Sequence, residues 1–114
     1  MVPVIARLAG ERNFHSIYKY GRRLRGANLN LSYLKVPQLP TRVAVVVSKQ
    51  VSNKATKRNL YKRRLWASLR GLRQYLPKTG YNLVVSARAS VKTQTYAALN
   101  RELIDILKQL RSSK

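Results

Sequence analysis

Between Glu11 and Glu102 the sequence holds no carboxylate. Across its 114 residues stand 24 Lys and Arg against 3 Asp and Glu, a formal net charge of +21. Such a chain cannot tie its surface together with ion pairs. It must fold on apolar packing, against a self-repulsion that a polyanion would screen. The apolar share is adequate: hydrophobic residues make up 45%, an ordinary globular value. A chain of this length also buries a core without disulfides or a structural metal. The expectation is a single folded domain over residues 1–114, not a charged tail. Nucleic acid is the common polyanion of matching size. Each phosphate contact releases counterions, so binding should be strong and fall steeply with salt.

Other function classes are excluded or weakened by what the sequence lacks. No segment has the roughly 18 consecutive apolar residues that a spanning helix needs. The apolar start Met1–Leu8 is interrupted by Pro3 and Arg7 and reads as too short for a signal-peptide core. There is no Cys, which fits a reducing compartment. The reading is a cytoplasmic protein with no membrane partner. His15 is the only histidine, so no zinc site is credible. Glu102 and Asp105 are the only close carboxylate pair, and their i, i+3 spacing reads as surface charge. A two-metal nuclease site needs several convergent carboxylates. No Gly-rich phosphate loop or nucleophile motif is present. No catalytic residue is expected from this chain.

Apolar periodicity predicts the elements. Phe14, Ile17 and Tyr18 have helical spacing over Glu11–Tyr20, with Gly21 as a stop. Leu29, Leu31 and Tyr33 alternate with Asn30, Ser32 and Leu34 as in a strand. Pro37 to Pro40 reads as a turn. Arg42–Lys49 is a β-branched strand. Val43, Val45 and Val47 form its core face; Ala44, Val46 and Ser48 form the other, which could line a groove. Ser52 or Asn53 is expected to cap a helix over Ala55–Leu76, with Tyr61, Leu65, Leu69, Leu72 and Leu76 as its stripe. Tyr81–Arg88 is a third strand, and Thr93–Arg111 a last helix with Leu99, Leu103, Ile106 and Leu110 inward. The order α-β-β-α-β-α implies an α+β fold: a small two-layer sandwich of helices on a mostly antiparallel sheet.

Two constellations suggest chemistry. Residues 53–64, Asn-Lys-Ala-Thr-Lys-Arg-Asn-Leu-Tyr-Lys-Arg-Arg, would put a ladder of donors on one helix about 6 Å apart. Arg58 and Lys62 form one i, i+4 row, with Arg63 beside it. Arg offers a planar fork to phosphate oxygens, and Asn59 can meet a sugar hydroxyl or a base edge. A solvated charged face is the bland alternative. The absence of compensating acids favours nucleic-acid binding. Phe14, Tyr18 and Tyr33 are aromatics that would stack on unpaired bases if exposed. From spacing alone, packing in the core is the favoured reading.

Three blocks of the sequence resemble the bacterial ribonuclease P protein subunit. Phe14-His-Ser-Ile-Tyr-Lys-Tyr-Gly21 looks like that family's Phe-x-x-(apolar)-(aromatic)-Lys-x-Gly. Arg42-Val-Ala-Val-Val-Val-Ser-Lys49, followed by Lys57-Arg-Asn-Leu-Tyr-Lys-Arg-Arg64, looks like its strand, Ser-Lys-Lys turn and Arg-Asn-Arg helix. Tyr81-Asn-Leu-Val-Val-Ser-Ala-Arg88 is similar to its last strand. The resemblance implies a sheet of at most four strands and a left-handed β-α-β crossover around the basic helix, a rare hand. It implies a ribonucleoprotein whose catalytic RNA, with Mg²⁺, cleaves the 5′ leader from precursor tRNA. By position, Lys49, Arg58, Asn59, Lys62 and Arg63 would contact that RNA. Phe14, Tyr18, Leu31 and Tyr33 would line a leader cleft between the sheet and the first helix. Gln50, Leu60 and Trp66 depart from the family pattern, and Lys54, Lys57 and Arg64 are placed to compensate. Trp66 either stacks on a base or covers the helix. A ribosomal-type RNA binder and a DNA-binding architectural protein share the charge and size. The ordered blocks favour ribonuclease P, with no DNA partner expected.

Overall fold

The structure is a computed structural model describing residues 6–112; of the apolar start at Met1–Leu8, residues 1–5 lie outside it. In chain order the elements are β1 (Ala6–Arg7), α1 (Glu11–Tyr20), β2 (Arg22–Arg25), β3 (Leu29–Pro40), β4 (Arg42–Val46), α2 (Ala55–Gly71), β5 (Thr79–Ala87) and α3 (Tyr96–Ser112). Short 3-10 turns at Arg73–Tyr75 and Ala89–Thr93 follow α2 and β5. The expected α-β-β-α-β-α order is present, with β1 and β2 added to it.

The strands form one sheet in the order β1-β4-β5-β3-β2, so its five strands exceed the four that the resemblance implied. β4 and β5 are parallel neighbours joined through α2, the expected β-α-β crossover. β3 runs antiparallel to both β5 and β2, and β1 adds a parallel pair at the edge of β4. Pro37–Pro40 is not a free turn. It is the end of β3, where the register with β5 shifts between Lys35 and Pro40 and Gln38 takes a positive φ of 70°.

Side-chain alternation divides the sheet into two faces. Leu29, Leu31, Tyr33, Val43, Val45, Leu83 and Val85 face α2 and α3. All four predicted α3 stripe residues, Leu99, Leu103, Ile106 and Leu110, are buried against them. Burying one such side chain contributes roughly 1.5–3 kcal/mol. The opposite face carries Ala44 and Val84, which pack with Leu8 and Ile17 of the α1 region. The helices therefore do not share a side: α2 and α3 cover one face, and α1 crosses the other.

Two contacts fix this arrangement. At Gly21, φ is an ordinary −81°, so the residue is not needed for a left-handed turn. Its N–H donates to the Ile17 carbonyl at 2.8 Å, and a Cβ there would overlap the carbonyl oxygens of Ile17 and Tyr33. Glycine is required because α1 touches the β3 backbone. At the other end of the sheet, Glu102 of α3 is partly buried and clamps the β2–β3 turn. Its carboxylate accepts the N–H of Asn28 at 2.9 Å, the N–H of Leu29 at 2.6 Å and Asn28 Nδ2 at 2.9 Å. The surface-charge reading holds for Asp105, which is exposed, and fails for Glu102.

Candidate nucleic-acid interface

The turn after β4 is held by its own backbone. The N–H of Val51 donates to the Ser48 carbonyl at 3.0 Å, and that of Gln50 to Ser48 Oγ at 3.3 Å. Val51 is fully buried and pins the turn, leaving Lys49 exposed. The residue entering α2 is Lys54, without a side-chain cap; the expected Ser52 cap instead accepts the Lys54 N–H at 3.2 Å. Arg58 Nη1 then donates to the Ser52 carbonyl at 3.0 Å, lashing the first helical turn to this loop. α2 stops at Gly71, short of the expected Leu76. Gly is a poor helix residue, and the chain tightens into a 3-10 turn that still delivers Leu72 and Leu76 to the core.

Lys54, Lys57, Asn59, Arg63 and Arg64 are exposed, while Arg58 and Lys62 are partly buried along the flank of the helix. Asn59 and Arg63 share one exposed row four residues apart. Trp66 is partly buried against the core, with the Arg7 guanidinium 4.7 Å from its ring centroid. Trp66 thus covers the core on this flank of the helix.

A groove of about 620 Å³ opens on the α1 face of the sheet, beyond α1 itself. Its floor is one row across three strands, Val46, Ser86 and Asn30. Arg23 and Arg25 of β2 stand on one side, with Arg88 beside the floor. Ser48 and Gln50 close the end toward α2. Asn30 Oδ1 is buried there without a hydrogen-bond partner. Arg88 Nη1 donates to the Gly26 carbonyl at 3.0 Å, and the Arg88 N–H to the Asn28 carbonyl at 2.8 Å. Ser90 Oγ donates to the Ala27 carbonyl at 3.2 Å. The turn clamped by Glu102 thus also positions Arg88.

The four residues expected in the leader cleft divide. Phe14 is partly buried against the Leu8, Ile17, Ala44 and Val84 cluster, and Tyr18 is 52% exposed. Both belong to α1, on the groove's face. Leu31 and Tyr33 are corrected: they are 1% and 4% exposed, in the core beneath α2 and α3. A strand exposes alternate residues, so one position decides the face. The β3 residues on the groove's face are Asn30 and Ser32. Sequence reasoning also passed over Arg23, Arg25 and Arg88. The signal was the Arg22-Arg23-Leu24-Arg25 run, whose single apolar residue, Leu24, packs on the core while arginines flank it.

The family model described as Ribonuclease P matches residues 2–111. The chain belongs to the ribonuclease P protein family. It is 34% identical over 108 residues to the ribonuclease P protein component of Picosynechococcus, covering 95% of this chain and 92% of that one. With that of Thermus scotoductus it is 43% identical over 102 residues, covering 90% of this chain and 58% of the relative. The solved RNase P protein of Thermotoga maritima superposes with a TM-score of 0.79 at 27% identity, over 90% of this chain and 96% of that one. The Staphylococcus aureus RNase P protein has the same fold, with a TM-score of 0.80 at 21% identity over 94% and 96%. Membership makes the chain a protein component of a ribonucleoprotein endoribonuclease in tRNA processing and implies association with RNase P RNA. It decides against the ribosomal-type and architectural alternatives. Among the described residues, no three His, Cys, Asp or Glu side chains converge to hold a metal ion, and no helix is long and apolar enough to cross a membrane.

Proposed function

We propose that the chain binds the catalytic RNA of ribonuclease P through α2 and the turn before it, and holds the 5′ leader of precursor tRNA in the groove. The observation that carries this reading is the groove's construction. A neutral floor of Asn30, Val46 and Ser86 lies beside Arg23, Arg25 and Arg88, and its end is the turn leading into the basic helix. Neutral amide and hydroxyl groups suit base edges and sugars; guanidinium groups suit the flanking phosphates. An unpaired strand can offer both along such a groove. Lys49, Lys54, Lys57, Arg58, Asn59, Lys62, Arg63 and Arg64 face the catalytic RNA. Phe14 and Tyr18 meet the leader from α1.

Among the described residues no side chains converge to fit a Mg²⁺ site. Mg²⁺ in the holoenzyme is held mainly by the RNA and supplies the chemistry of phosphodiester hydrolysis there. The chain supplies positive charge and position: it lowers repulsion between two RNAs and fixes where the leader runs. It works in the cytoplasm, where precursor tRNA is made.

The test is precursor cleavage by the cognate catalytic RNA, with and without the chain, across a Mg²⁺ titration. The chain should lower the Mg²⁺ needed for half-maximal cleavage. An unchanged Mg²⁺ requirement at low salt would refute the proposal. Arg58→Ala combined with Lys62→Ala should flatten the salt dependence of RNA binding by about two units, from roughly 0.7–0.9 per phosphate contact.

A further inference from the structure

A second cavity lies on the opposite side of the sheet from the groove, where α2 meets the segment entering α3. It holds about 320 Å³, near the lower end for small-ligand sites. Its floor is apolar: Leu65, Val91 and Leu99 are 1%, 2% and 6% exposed. Tyr61 and Tyr96 stand in its wall, and Tyr96 is 51% exposed. Arg64 lines the same cavity, its guanidinium 6.0 Å from the Tyr61 ring centroid. Lys57 lies one helical turn before Tyr61 on the same side of α2 and is exposed.

An apolar floor with tyrosine walls suits a flat ring, because either tyrosine can stack on a base of any sequence. The Arg64 guanidinium suits a phosphate on that ring's sugar. The net charge of +21 makes a polyanion the occupant favoured by charge. We infer that this cavity takes one unpaired nucleotide of the bound RNA, its base between Tyr61 and Tyr96 and its phosphate on Arg64. The inference rests on the RNA-binding role proposed above. It adds a stacking site on the flank of α2 away from the groove, so that bound RNA grips this helix from two sides.

The test uses the full chain with three probes: adenosine 5′-monophosphate, adenosine and inorganic phosphate. The readout is the aromatic ring resonances of Tyr61 and Tyr96. The monophosphate should shift both saturably; adenosine should do so more weakly, and phosphate alone should leave the rings unmoved. Tyr96→Ala should weaken both monophosphate binding and catalytic-RNA binding about 5- to 150-fold, the equivalent of about 1–3 kcal/mol per stacked base. Arg64→Gln, which leaves the tyrosine walls in place, should weaken the monophosphate and leave adenosine unchanged. Ring signals indifferent to the monophosphate would overturn the inference. So would RNA affinity within twofold of the parent in both variants, while the Arg58→Ala, Lys62→Ala pair weakens it. Failure of that pair as well would refute the RNA-binding role itself.

Discussion

Glu102→Ala should be strongly destabilising for a change at a charged position. The carboxylate accepts from two backbone N–H groups and a side-chain amide, at 2.6–2.9 Å for the shorter bonds. Truncation leaves the N–H of Asn28 and of Leu29 without an acceptor, and an unsatisfied buried donor costs about 1–3 kcal/mol. Asn28 and Leu29 are buried, but Glu102 is only partly so, and entering water recovers some of that cost. The expected loss is about 2–3 kcal/mol. At about 4–8 °C per kcal/mol for a domain near 100 residues, Tm should fall by roughly 8–24 °C in thermal denaturation. Charge alone pulls the other way in RNA binding, since losing an anion makes the chain more cationic. Asp105→Ala is the matched control. It removes the same charge from an exposed site on the same helix and should stay within about 0.5 kcal/mol of the parent. Equal Tm changes in the two variants would show that the clamp contributes nothing beyond charge, and would refute the reasoning.

Gly21→Ala should be destabilising despite its ordinary φ, because the methyl meets two carbonyl oxygens; a melting curve matching the parent would show that α1 can lift off β3 at no cost. Arg25→Gln with Arg88→Gln should flatten the salt dependence of leader-bearing precursor binding by one to two units, measured as Kd against salt, while mature tRNA is little affected. Asn30→Ala and Leu31→Ala should separate the two faces of β3. The first should weaken precursor binding at near-parent stability. The second should cost about 2–5 kcal/mol in denaturant unfolding, as for other buried Leu truncations.

How much was legible follows from which forces shape each element. α1 was read at its observed bounds because Phe14, Ile17 and Tyr18 share a helical side and Gly21 ends it. The core stripe of α3 was legible for the same reason. β2 was not, because three of its four residues are arginines and only Leu24 turns inward. Its strand conformation comes from pairing with β3, a tertiary cause that local pattern does not contain. β1 is two residues long and exists by lying on the edge of β4. The two prolines in Pro37–Pro40 read as a turn because turn chemistry is local, whereas the shifted register that carries them along β5 is not.

On β3, Leu31 and Tyr33, expected in the cleft, and Asn30, which lines the groove, lie on opposite faces of the strand. Alternation over Leu29–Leu34 defines two faces without saying which one an RNA would meet. Aromatic chemistry argued for Tyr33, and burial argues against it. The decision lies in packing: Leu29, Leu31 and Tyr33 are the larger apolar set, and α2 with α3 offers the larger apolar surface to receive them. That choice places Asn30 and Ser32 on the α1 face, where Ser32 is buried, and brings Asn30 into line with Val46 and Ser86. The neutral floor of the groove is therefore a by-product of how the core fills. A substitution that strengthens the core face of β3 should leave the groove intact, whereas a one-residue slip of β3 would destroy both together.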